Sequence, residues 1–234
     1  MRWIALLAFA FLVACDVAPT QTGSVEPSQV QSRTPQTPTT TQMRLFEQVV
    51  TQVEPEAERY CRARIDNGNC DFNIVIDDRK GQPANAFQTL DRNGRPIIAF
   101  TLALIADAQN DDELAFVLSH EAAHHIAGHI PRQQQNATAG AILLGGLASL
   151  AGAGASAVDA ATNIGASVGA RSYSKDFELE ADAMGTVIAK RSGYDPVRGA
   201  AYFNRIPDPG DRFLGTHPPN AQRIETVRRV NSGI

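Results

Sequence analysis

The segment 119–129, S-H-E-A-A-H-H-I-A-G-H, constrains this chain more than any other, because it holds four of the five histidines. His120 and His124 are four residues apart, which on an α-helix places them on one face, a turn from each other. Their imidazoles can then reach a single tetrahedral ion at about 2.0–2.1 Å each. Any fold must therefore keep this segment helical and bring a further ligand from elsewhere in the chain. Glu121 emerges about 100° around the helix axis from His120. It cannot join the ion as an unstrained ligand, but it can reach a water in the open position. Two histidines and a glutamate base in this register are the zinc-peptidase arrangement, one Zn2+ per chain. His125 projects away from the pair and His129 lies past Gly128, so both read as surface residues or as supports behind the ligands.

The flanking signals agree with a helix. Asn110 is an N-cap candidate, with Glu113 three residues on as its capping-box partner. Leu114, Val117, Leu118 and Ile126 form an apolar stripe, and Gly128 and Pro131 mark the end. The missing ligand separates classes of site. A metzincin carries glycine and a third histidine where this chain has Ala127 and Ile130, so that class fails. A gluzincin draws a glutamate from a later helix. In F-E-L-E-A-D, Glu178 and Asp182 are four apart and share a face, while Glu180 points elsewhere. Glu178 is then the third ligand and Asp182 an acceptor for a ligand histidine's N–H. Three acids on one helix also read as solvated surface charge, and the spacing by itself leaves that alternative open.

The remaining chain sets the context. Arg2, an apolar run to Val13 and a small residue before Cys15 make residues 1–14 a secretory signal, too short for a membrane span. Leu12-Val13-Ala14-Cys15 resembles a bacterial lipobox, with Cys15 as the lipid-bearing residue. Residues 15–42, rich in Pro, Thr, Ser and Gln, read as a flexible tether, and 43–234 as the folded domain. Once Cys15 is set aside, Cys61 and Cys70 remain, an even pair that suggests a disulfide in an exported protein. A helix opens the domain near Met43 with Pro55 punctuating it. D-F-N-I-V-I-D-D and the run after Asn93-Gly94, R-P-I-I-A-F-T-L-A-L-I, are strand candidates. The segment 133–170 is dominated by Ala and Gly and carries no charge from Gln133 to Val158. It reads as a close-packed helical hairpin or lid, with membrane insertion as the alternative. The net charge of −4, without a clustered basic face, gives no support to nucleic-acid binding. The expected fold is α+β, mainly helical, with a small sheet.

H-E-A-A-H, followed by Y-S-K-D-F-E-L-E-A-D-A-M-G and then T-H-P-P-N-A-Q-R-I, resembles the HtpX-like and CAAX-prenyl-endopeptidase family of zinc metallopeptidases. The nearest likeness is to its small exported or lipoprotein members, related to the Oma-type proteases. The resemblance runs from about Met43 to Arg229. It implies His120, His124 and Glu178 as zinc ligands, Glu121 as general base and Asp182 as support. His217, in T-H-P-P, matches a histidine that in some members approaches the metal or helps stabilise the oxyanion; a capping role in the turn is the alternative. The family usually has Ser-Arg where this chain has Ser174-Lys175. Asn85 to Phe87 resembles the edge strand bordering the site, onto which an extended polypeptide would add by main-chain hydrogen bonds. These likenesses imply an endopeptidase acting on misfolded or unassembled proteins. It would be lipid-tethered on the periplasmic side of the cell envelope, at the inner or outer membrane. A chaperone-like assembly factor with little proteolysis is the alternative. Oligomeric state is not legible.

Overall fold

The computed structural model describes residues 37–172, 174–210, 215 and 217–234. The signal segment 1–14, Cys15 and most of the tether lie outside the described residues.

Helix α1 spans Thr40–Arg62, beginning three residues ahead of Met43. Thr39 and Gln42 close a reciprocal capping box, so the backbone donors at this end are satisfied and the helix can start early. Pro55 does not end it. The apolar stripe Phe46, Val49, Val53, Ala57 and Tyr60 continues past the proline and is buried throughout, and this packing outweighs the lost hydrogen bond. Cys61 at its end is disulfide-bonded to Cys70, with Cα atoms 5.7 Å apart.

Three short strands follow: β1 (Asn73–Asp77), β2 (Ala86–Leu90) and β3 (Pro96–Thr101). The sheet order is β1-β3-β2, with β1 parallel and β2 antiparallel to β3. β2 is therefore an edge strand. The expected second strand stops at Thr101 because its hydroxyl accepts from the Leu104 N–H at 3.2 Å and caps helix α2 (Leu102–Asp107). The same hydroxyl donates to the Pro83 carbonyl and accepts from the Asn85 N–H, both at 3.0 Å, fixing the loop that leads into β2.

Helix α3 (Asp111–Ile126) crosses the centre of the domain. Asn110 caps it, accepting from the Glu113 N–H at 3.1 Å. Glu113 departs from the capping box: its carboxylate takes the Gln109 N–H and clasps Arg205 at 2.5 and 2.8 Å. Gly128 ends the helix with a left-handed backbone, φ +65°. Pro131 is no stop signal. It lies in the first turn of helix α4 (His129–Leu150), where a missing N–H is tolerated.

Helices α4 and α5 (Ala155–Ser172) form a hairpin that packs chiefly on itself. Its seam is made of small residues. A Cβ on Gly140 or Gly165 would overlap the other's carbonyl, and one on Gly169 would overlap the Asn136 carbonyl. The backbones therefore approach at a distance only glycine permits. Its outer face leaves Ile142, Leu143, Leu147, Leu150 and Ile164 exposed. No helix among the described residues is long and apolar enough to cross a membrane. Helix α6 (Ser174–Arg191) returns across α3, and α7 (Pro196–Ala200), a 3-10 turn (Ala201–Asn204) and α8 (Asn220–Ser232) complete the chain. The main core joins α1, the sheet, α3 and α6 through Val49, Phe72, Phe100, Leu118 and Ile188. A smaller one sets Phe116 of α3 against Phe203 and Val227.

Candidate metal centre

α3 and α6 cross closely enough that Gly185 lies against the backbone of Ser119 and His120. This close approach brings Glu178 of α6 to the two histidines of α3. His120 Nε2 and His124 Nε2 are 3.0 Å apart. Glu178 Oε2 stands 3.5 Å from the first and Oε1 3.4 Å from the second. A tetrahedral ion with bonds of about 2.0–2.1 Å needs donors about 3.3 Å apart, so two nitrogens and a carboxylate at these separations fit zinc. Among the described residues, these three form the cluster able to hold a metal ion.

The electrostatics point the same way. Burial and the Arg223 guanidinium oppose charge on His120. The Asp182 and Glu178 carboxylates prevail and push its pKa up to about 9. A field that favours a proton at that point favours a cation there. Glu178 is held well below the usual carboxylate range: burial works against its charge, and contact with His120 more than compensates. Burial, reinforced by the neighbouring His120, keeps His124 neutral, as a ligand must be.

Glu121 sits beside this cluster without joining it. Burial, with a contribution from Glu178, raises its carboxyl to about 7. The backbone of Gln88, on edge strand β2, acts against that rise, and both residues line the same cleft. Asp182 is completely buried, 3.0 Å from His120 Nδ1. It directs the other ring nitrogen towards the ion position. His217 lies at the rim, its side chain 53% exposed and its Nε2 3.9 Å from Glu178 Oε2. The three ligands, Glu121 and His217 line a cleft of about 640 Å³ between β2, α3, α6 and the segment leading into α8. The base of the hairpin, Ile130 and Gln133, contributes one wall.

Residues 46–231 match peptidase family M48. The chain belongs to this family. It is 33% identical over 152 residues to a beta-barrel assembly-enhancing protease of Yersinia pestis, a match covering 55% of this chain and 29% of that one. The counterpart in Escherichia coli strain K12 is 30% identical over 143 residues, covering 55% and 29%. The mitochondrial metalloendopeptidase OMA1 of Saccharomyces cerevisiae is 29% identical over 166 residues, covering 66% and 45%. The matched part of this chain thus spans less than a third of the assembly-enhancing proteases. The residues that carried the resemblance, H-E-A-A-H and E-L-E-A-D, are in this M48 chain the ones that meet in space.

One participant was not assigned from sequence. Arg223 of α8 is 6% exposed and clasps Asp182 with two bonds, Nε to Oδ2 at 2.8 Å and Nη2 to Oδ1 at 2.7 Å. Its Nη2 also reaches Glu178 Oε2 at 3.3 Å, and its guanidinium lies 3.9 Å over the Phe203 ring. Of the two places read for His129, the structure shows the one behind the ligands: it is 5% exposed and 2.8 Å from His124. His125 is half-buried, packs edge-on against Phe72 and bonds the Asn69 carbonyl at 2.7 Å.

Proposed function

We propose that this M48 chain is a zinc-dependent endopeptidase. On this reading it is tethered by a lipid on Cys15 at the periplasmic side of a bacterial envelope membrane, where it cleaves extended stretches of misfolded or unassembled proteins. The observation that carries the reading is the convergence of His120, His124 and Glu178 beside a half-buried glutamate that shares its cleft with an edge strand. His120, His124 and Glu178 would hold one ion. When bound, zinc supplies Lewis acidity and lowers the pKa of a water towards about 7.

The chain's own groups do the remaining work. The open side of β2 accepts an extended peptide by main-chain hydrogen bonds, which recognise backbone more than side chains and so suit unfolded substrates. Glu121 takes the proton of the attacking water and passes it to the leaving amine; a carboxyl raised by burial is suited to both. Arg223, locked on Asp182, keeps His120 oriented while its Nη2 adds positive charge beside Glu178. His217 at the rim is placed to donate to the oxyanion that develops on the scissile carbonyl. Export is supported by the N-terminal pattern and by the Cys61–Cys70 bond, which belongs in an oxidising compartment. The bacterial relatives are named for enhancing β-barrel assembly, which is consistent with an envelope role here.

Purified protein should contain one zinc per chain. Glu121→Gln should keep that zinc and lose cleavage of unfolded casein. Cleavage surviving this change would sink the mechanism. Full complementation of a deletion by the silent variant would point instead to a chaperone-like factor.

A further inference from the structure

His129 lies outside the ligand set, yet its surroundings are more fully specified than those of many ligands. Its Nδ1 is 2.8 Å from His124 Nδ1. Its Nε2 is 3.1 Å from Glu180 Oε2, which also accepts from Arg132 Nη1 at 2.7 Å. Its ring stacks on Phe177, centroids 4.5 Å apart and planes 12° from parallel, and the Arg132 guanidinium lies 4.4 Å over the same phenyl ring.

We propose that Glu180, His129 and His124 form a hydrogen-bond relay that fixes the tautomer and the orientation of His124 for metal binding. The inference rests on the metal-centre reading above.

Each proton in the relay has one allowed position. His124 Nε2 is the nitrogen facing the cluster, 3.0 Å from His120 Nε2 and 3.4 Å from Glu178 Oε1, so a ligand lone pair must be there. Its proton is then on Nδ1 and is donated to His129 Nδ1, which must be unprotonated. His129 therefore carries its proton on Nε2 and donates it to Glu180, an acceptor at every oxygen once ionised.

The two ligand histidines are thus supported in parallel ways. His120 donates directly to Asp182, whereas His124 reaches its carboxylate through one additional ring. The relay also joins the two ligand-bearing helices. Phe177 and Glu180 flank Glu178 on α6, so the stacking and the hydrogen bond that brace His124 steady the third ligand as well. Glu180, the acid facing away from the ion, acquires its role from this arrangement.

The test uses the full chain and zinc alone, with affinity measured by chelator competition. His129→Phe keeps an aromatic ring against Phe177 and removes the acceptor. It should weaken zinc binding by on the order of 10- to 100-fold, the size usual for loss of a ligand's hydrogen-bond partner. His129→Gln, with a carbonyl to accept and an amide to donate, should recover most of that loss. The His124 Nδ1–H resonance of the zinc-loaded protein should sharpen and shift downfield in wild type and His129→Gln, and be lost to exchange in His129→Phe. Wild-type zinc affinity in His129→Phe, or a Gln variant no better than the Phe variant, overturns the relay. Should His129→Phe fail to fold, Glu180→Ala at the half-exposed end, which removes the acceptor, decides: weaker zinc binding supports the relay and unchanged binding refutes it. A wild-type chain that binds no zinc overturns the centre itself, an outcome distinct from loss of the relay alone.

Discussion

Gly185 offers the sharpest test of how this centre is assembled. A Cβ there would stand 3.0 Å from the backbone nitrogen and Cα of His120 and 3.2 Å from the carbonyl carbon of Ser119. Ordinary contact begins at 3.4 Å, so Gly185→Ala forces α6 away from α3 by a few tenths of an ångström. Overpacking of this kind costs about 1–3 kcal/mol. Replacing glycine by alanine inside a helix returns about 1 kcal/mol. The net loss is then at most about 2 kcal/mol, or less than about 8 °C in Tm for a domain of this size. The ligands respond more steeply, because metal–ligand distances tolerate only about ±0.2 Å. Zinc affinity by chelator competition should fall on the order of tenfold or more while the protein stays folded. Gly146, also in a helix but with nothing within 4 Å of its added Cβ, is the control. Gly146→Ala should leave zinc affinity unchanged and stability equal or up to about 1 kcal/mol higher. A folded Gly185→Ala protein with wild-type zinc affinity would refute the view that this crossing sets the ligand geometry.

Other outcomes follow from the same contacts. Arg223→Met strands the buried Asp182 carboxylate without its two-point partner and should cost about 3–5 kcal/mol in urea unfolding; Arg223→Lys, which keeps charge but not the fork, should recover only part. Burial lowers the His125 pKa, against the raising effect of its bond to the Asn69 carbonyl, so the folded state binds fewer protons there than the unfolded chain. The sign is then fixed: its contribution is full above the ordinary histidine pKa of about 6.5 and declines as pH falls below it. His125→Gln should therefore lose less Tm than wild type between about pH 7.5 and about pH 5.5. Gly165→Leu should open the far part of the α4–α5 hairpin to limited proteolysis with zinc affinity unchanged; a matching fall would show that the seam at Gly165 also holds the α4 base and its His129 in place.

The parts of the site legible in sequence are those governed by local geometry. His120 and His124 declare themselves by spacing, and the facing of Glu178 and Asp182 follows from the same helical period. That spacing could not distinguish ligands from solvated acids, because the decisive fact, the crossing of α3 and α6, is tertiary. Arg223 stayed unassigned for the same reason: its partner Asp182 is 41 residues away and no periodicity links them. For His129 the sequence left a surface place and a place behind the ligands both open, because Gly128, with φ +65°, redirects the backbone between α3 and α4. Angles extrapolated along α3 fail beyond that point. Glu113 satisfied the capping-box spacing, but Arg205, 92 residues on, took its carboxylate. The edge strand was identified through resemblance, and its neighbour β3 was read too long because a capping threonine looks like any β-branched residue in a strand.

The α4–α5 hairpin has a consequence for how this chain can vary. Its two ends join helices that dock on each other directly, so beyond the base of α4, where His129, Arg132 and Gln133 stand at the centre, the rest of the hairpin is a detour that the ligands do not need. Closing a longer detour is cheap, about 0.6 kcal/mol for each doubling of its length. The turn at 151–154 is thus a natural port for new sequence. A reporter, a targeting segment or another pair of helices spliced there would change what the molecule touches while leaving His120, His124 and Glu178 in register.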